Sequence, residues 1–91
     1  MRIEASYSEN ITIKAEYCRA LANGVIREYN DYFKTSDLRC EIGDRNMTFI
    51  DGTTTVFIQP IEYILPNPDD LEDDIQSLAE DVIGATVGKI F

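Results

Sequence analysis

Between Asp69 and Asp81 the chain reads Asp-Asp-Leu-Glu-Asp-Asp-Ile-Gln-Ser-Leu-Ala-Glu-Asp, seven carboxylates in thirteen residues. Carboxylates at this density have three chemical uses: holding a hard cation, sharing a proton in acid–base catalysis, or presenting a negative field to a basic partner. A calcium loop of the EF-hand type needs oxygen ligands at alternate positions and a glycine at the sixth, where counting from Asp69 gives Asp74, so that pattern fails. Paired carboxylates in catalysis need environments that push their pKa values apart. A run on an exposed helix face offers none. The third use asks only for charge. Seven carboxylates over about 18 Å of helix put one charge every ~3 Å, close to the ~3.4 Å spacing along one DNA strand. The macrodipole favours the acids from Asp69 to Asp74 at a helix start, but Glu80 and Asp81 lie beyond its reach.

The remaining chemistry-bearing residues exclude more than they suggest. The chain has two cysteines, Cys18 and Cys40, and no histidine, which removes the usual zinc frameworks and the histidine-based triads and dyads. Both cysteines fit apolar faces as small buried hydrophobes. No metal or cofactor is expected. Of the five tyrosines, Tyr29 and Tyr32 fall in an apolar helix stripe with Tyr17 on the same helix, and Tyr7 and Tyr63 complete the set. Core or rim packing is the expectation for them.

The charge is as unevenly placed as the motifs. Residues 1–45 carry seven bases against eight acids, and residues 46–91 carry nine acids against Lys89 alone. A pole of this sign repels nucleic acid and anionic membranes and attracts basic surfaces. No apolar stretch reaches ~18 residues and no secretion signal opens the chain, so the reading is a cytoplasmic protein without a membrane span. Ninety-one residues suffice for one domain, residues 1–91, and not for two.

The elements that must position these groups follow from periodicity. Arg2 to Tyr7 alternates apolar and polar side chains and predicts a first strand. After Ser8-Glu-Asn10, the recurrence of Ile11, Ala15, Cys18, Ala22, Val25, Tyr29 and Tyr32, widened by Leu21, Ile26 and Phe33, predicts a helix starting near Asn10. Gly24 costs that helix roughly 1 kcal/mol relative to alanine, so it is expected where packing is close. Leu38, Cys40 and Ile42 predict a second strand, and Met47–Ile50 a third. Asp51-Gly52 is read as the centre of a type I′ hairpin turn, and Thr53–Gln59 as the strand pairing back. Pro60 cannot donate to a ladder, which makes this strand an edge or ends it. Asn67 and Pro68 predict a cap and first turn, followed by a helix whose stripe is Leu71, Ile75, Leu78, Ala79, Val82 and Ala85.

The order β-α-β-β-β-α predicts an α+β fold, a two-layer sandwich of about four antiparallel strands with two amphipathic helices on one face. In function, the sequence points to a non-enzymatic protein-binding module. Asp69, Asp70, Asp73, Asp74, Glu80 and Asp81 would meet a basic surface of a protein partner and occlude its nucleic-acid site. Phage inhibitors of restriction and CRISPR systems share this small acidic composition, as do bacteriocin immunity proteins, by composition only. The alternative is a structural, chaperone-like or immunity-type homodimer joined through the apolar tail Ile83, Val87, Ile90 and Phe91.

Overall fold

The computed structural model describes residues 2–34 and 37–90, with side chains for 14–34 and 37–88. Helix α1 runs from Arg2 to Phe33, so the strand expected at Arg2–Tyr7 is replaced by helix. Six residues of alternation also fit a helix rich in Arg, Glu and Ala. No glycine or proline interrupts the chain before Gly24, and extending an existing helix costs less than nucleating a new one at Asn10. At the other end, Lys34 adopts φ +67° and its N–H donates to the Asn30 carbonyl at 2.9 Å. This is a left-handed C-cap on a residue other than glycine. The Asn30 side chain accepts from the Leu38 N–H at 3.1 Å and so fastens the helix end to the first strand.

Strands β1 (Leu38–Ile42), β2 (Asn46–Asp51) and β3 (Thr54–Pro60) form an antiparallel sheet in the order β1-β2-β3. Among the described residues the sheet therefore has three strands, not about four. The hairpin between β2 and β3 forms where Asp51-Gly52 predicts one, displaced by a residue. Asp51 ends β2 opposite Thr54, Gly52 and Thr53 make the turn, and Gly52 takes φ +67°. Positive φ at the first central position only is the type II′ pattern. Asp51 stays in the strand because its carboxylate is engaged: it accepts from the Tyr29 hydroxyl at 2.8 Å. Phe49 pairs with Phe57 and Ile50 with Thr55, so Val56 is the extra residue of a β-bulge. The bulge directs Val56 into the core, where it is buried. β3 is an edge strand that ends at Pro60, as the missing N–H requires.

Beyond β3, a 3-10 turn at Ile61–Tyr63 and a second at Pro68–Asp70 lead into helix α2, Leu71–Ile90. Asn67 caps this entry: its side-chain oxygen accepts from the Asp69 N–H at 3.1 Å, with Pro68 in the first turn, as the sequence predicts.

The core joins Leu38, Met47, Phe49 and Val56 of the sheet to Cys18, Leu21, Ala22, Val25 and Tyr29 of α1 and Leu78, Ala79 and Val82 of α2. The expected α2 stripe holds, with Leu71 and Ile75 half-buried against this cluster. On α1 the stripe needs correcting. Tyr17 is buried and Tyr32 is 61% exposed, so the helix turns its apolar side slightly away from the one the sequence predicts. Tyr17 meets Asp74 and Tyr29 meets Thr86. These contacts lie twelve residues apart on both helices, so α1 and α2 run in the same direction. At the seam, a Cβ on Gly24 would lie 2.7 Å from Ile75 Cγ1 and 2.8 Å from Cγ2. Glycine is what lets the helices approach here.

Candidate partner-binding surface

The acidic run divides once it is wound into α2. Asp70, Asp74 and Asp81 line a groove of about 410 Å3 between α2 and the segment that follows β3. Asp69, Asp73 and Glu80 share the next row by helical spacing, facing away from the stripe of Leu78 and Val82, and all three are exposed. The single acidic face expected from sequence is thus two rows.

Asp74 departs from its expected role. It is half-buried, and its Oδ2 accepts from the hydroxyl of Tyr17, which also lies 3.1 Å from the Asn67 carbonyl. Burial pushes the Tyr17 phenol up to about 12, and the hydrogen bond and negative charge of Asp74 add to the shift. Asp74 is therefore part of the scaffold, bracing the start of α2 against α1. Asp70 Oδ2 accepts from Asn67 Nδ2 at 2.9 Å. The ion pairs among the described residues, Lys34–Asp31 and Arg39–Glu41, are exposed and involve no residue of α2. Among the described residues, the outer carboxylates of α2 form no ion pair with a basic side chain.

Four residues that sequence reasoning did not assign join this surface. Glu28 and Asp31 of α1 line a second, shallower groove with Tyr32, Glu80 and Ile83, and the Glu28 carboxylate accepts from Gln76 Nε2 at 3.1 Å. Their acidity was legible. Their position beside Glu80 depends on the helix crossing. On the opposite flank, Tyr63 and Leu65 border the first groove at 71% and 77% exposure. Ile64 between them is buried; because Tyr63, Ile64 and Leu65 are all apolar, the sequence holds no signal for which of them faces out.

The tail residues assigned to a dimer interface are only partly available. Ile83 packs against the core cluster and Val87 is half-buried. The side chains of Ile90 and Phe91 lie outside the described residues. Gly84 and Gly88 have open space around them. Both thiols are held in the protonated form: burial raises the pKa of Cys18, against a small lowering by Lys14, and raises that of Cys40 to about 11. Neither is an activated nucleophile. Among the described residues no group of three or more Cys, Asp or Glu is placed to hold a metal ion, and no helix is long and apolar enough to cross a membrane.

Compared with known proteins, the chain matches no family model, and neither a curated protein nor a solved structure matches it significantly.

Proposed function

We propose that this chain is a non-enzymatic interaction protein of the cytoplasm that docks the carboxylate rows of α2 on a basic surface of a protein partner. It acts as an inhibitor that occludes a nucleic-acid-binding site, as a nucleic-acid mimic does. The helices and the sheet, stacked as two layers, form its scaffold. The observation that carries the reading is the state of the outer carboxylates of α2 and of the turn before it: Asp69, Asp73, Glu80 and Asp81 are exposed, and the ion pairs of the described residues lie elsewhere. Glu28 adds to the same field from α1, beside the exposed Asp31–Lys34 pair. A concentrated, uncompensated field speeds and orients encounter with a basic partner, and its contribution falls as salt screens it.

The test compares the wild-type chain with a triple variant, Asp73→Lys, Glu80→Lys and Asp81→Lys, that leaves Asp74 in place. Both are immobilised and used to capture proteins from cell extract. The expected partner is basic, is held by the wild type and lost by the variant, and is released by rising salt or by competing duplex DNA. A partner that the triple variant retains at low salt would overturn the reading. A dimer joined by Ile83, Val87, Ile90 and Phe91 would then be the alternative, visible as a doubled mass in sedimentation.

A further inference from the structure

Tyr63 and Leu65 are the most exposed large apolar side chains among the described residues, at 71% and 77%. They stand on the same groove as Asp70 and Asp81. Their exposure is built in rather than incidental, because the segment that carries them is held at three points. The Ile61 N–H donates to the Arg45 carbonyl at 2.8 Å, the Ile64 N–H closes the 3-10 turn on the Ile61 carbonyl at 2.9 Å, and the Ile64 side chain is in the core. The groove's inner wall is Leu21 and Leu78. One side is therefore apolar and the other is a row of carboxylates, of which Asp74 is already committed to Tyr17.

We infer that this groove is the anchoring point of the acidic surface, and that its occupant is an amphipathic, arginine-bearing segment of the partner. An aliphatic or aromatic side chain of that segment packs between Tyr63 and Leu65, and its guanidinium groups reach Asp70 and Asp81. The inference rests on the acidic-surface reading and deepens it: charge complementarity sets the sign of the occupant, and the apolar rim sets its second requirement. Burying a large apolar side chain adds affinity that does not fall as salt rises, whereas the contribution of the charge field is screened at physiological salt. Arginine suits the carboxylate row better than lysine because its planar fork meets a carboxylate bidentately. Contacts of this kind, an anchor in a groove ringed by charge, carry most of the energy in protein interfaces.

Two fluorescein-labelled peptides test the inference. One is helical, with arginines along one side and leucine and phenylalanine along the other; the control has equal charge with its apolar residues replaced by serine. Fluorescence anisotropy at physiological salt is expected to show about tenfold tighter binding of the amphipathic peptide, equivalent to about 1.4 kcal/mol. Backbone amide shifts should centre on 63–65, 70 and 81. In the double variant Tyr63→Ser, Leu65→Ser, whose circular dichroism should be unchanged because both side chains are exposed, the two peptides should bind alike. Asp81→Asn should weaken both peptides. Equal affinity of the two peptides for the wild type, with shifts centred on Asp69, Asp73 and Glu80, would overturn the groove and leave the acidic-surface reading in place. Failure of both peptides to bind at low salt would remove that reading as well.

Discussion

The two sides of α2 follow different rules. Toward α1, Val82 is fully buried and Ile75 fills the space that a Cβ on Gly24 would need. That side is decided by volume, ångström by ångström, as close-packed interiors are. Toward solvent, Asp73, Glu80 and Asp81 are exposed and, among the described residues, pair with no base. That side is decided by summed charge, which is indifferent to the rotamer of any one carboxylate. Asp74 is the exception: a member of the acidic run that the fold has recruited through Tyr17. The contrast teaches that proximity in sequence is a poor guide to role, since Asp81 and Val82 are neighbours with opposite requirements.

The largest expected effect exchanges those neighbours' chemistry. Val82→Asp places an unpaired carboxylate at a fully buried position, at a cost of several kcal/mol against a total stability of about 5–15 kcal/mol for a domain. It should abolish the cooperative thermal transition. Asp81→Val should move stability by no more than about 0.5 kcal/mol. Comparable losses in the two variants would erase the distinction between the sides.

Alkaline titration isolates the recruited carboxylate. Tyr17 is raised from 10.0 to about 12 in the folded chain, so the unfolded chain releases its proton first as pH rises. The stability this provides is complete below pH ~10 and is lost between pH ~10 and ~12. Urea midpoints measured across that window should fall steeply for the wild type and more gently for Tyr17→Phe. Parallel slopes would mean that the Tyr17 phenol titrates alike in the folded and unfolded chain, and that the fold does not enclose the Tyr17–Asp74 contact.

A smaller effect sharpens the account of the seam. Gly24→Ala gains roughly 1 kcal/mol of helix propensity but drives its Cβ into Ile75, where overpacking costs about 1–3 kcal/mol. The net expectation is a loss of up to about 2 kcal/mol. Because both residues occupy one space, adding Ile75→Ala should cost less than its effect in the wild type, with a coupling of about 0.5–3 kcal/mol in denaturant unfolding. Simple additivity would show that the helices can slide apart there.

The readable parts of the fold share a local cause. The stripe of α2, the Asn67 cap, the edge strand ending at Pro60 and the β2–β3 hairpin each depend on residues adjacent in sequence or one helical turn away. Of the misread parts, one turns on the run that continues it and the others on a distant partner. The alternation at Arg2–Tyr7 does not choose between strand and helix, and the uninterrupted run into α1 settles it. The hairpin is displaced by one residue because Asp51 is held by Tyr29, twenty-two positions back. Tyr17 and Tyr32 exchange roles because the crossing of α1 on α2 selects which side of α1 is covered. For the site, the acidity of the run was legible, while the engagement of Asp74 by Tyr17 and the placing of Tyr63, Leu65, Glu28 and Asp31 beside it came only through packing.

By itself the sequence determined the α+β class, the position of the charge pole, the start of α2 and the absence of histidine chemistry, because composition and short-range periodicity carry those directly. Only the tertiary structure decided that Asp74 belongs to the scaffold and that the row of Asp70 and Asp81 faces Tyr63 and Leu65 across a groove. The physical reason is that a helix fixes which residues share a row, whereas the contact each row makes depends on the elements beside it. In this chain those elements come from residues 17 and 63–67, which no local pattern around α2 contains.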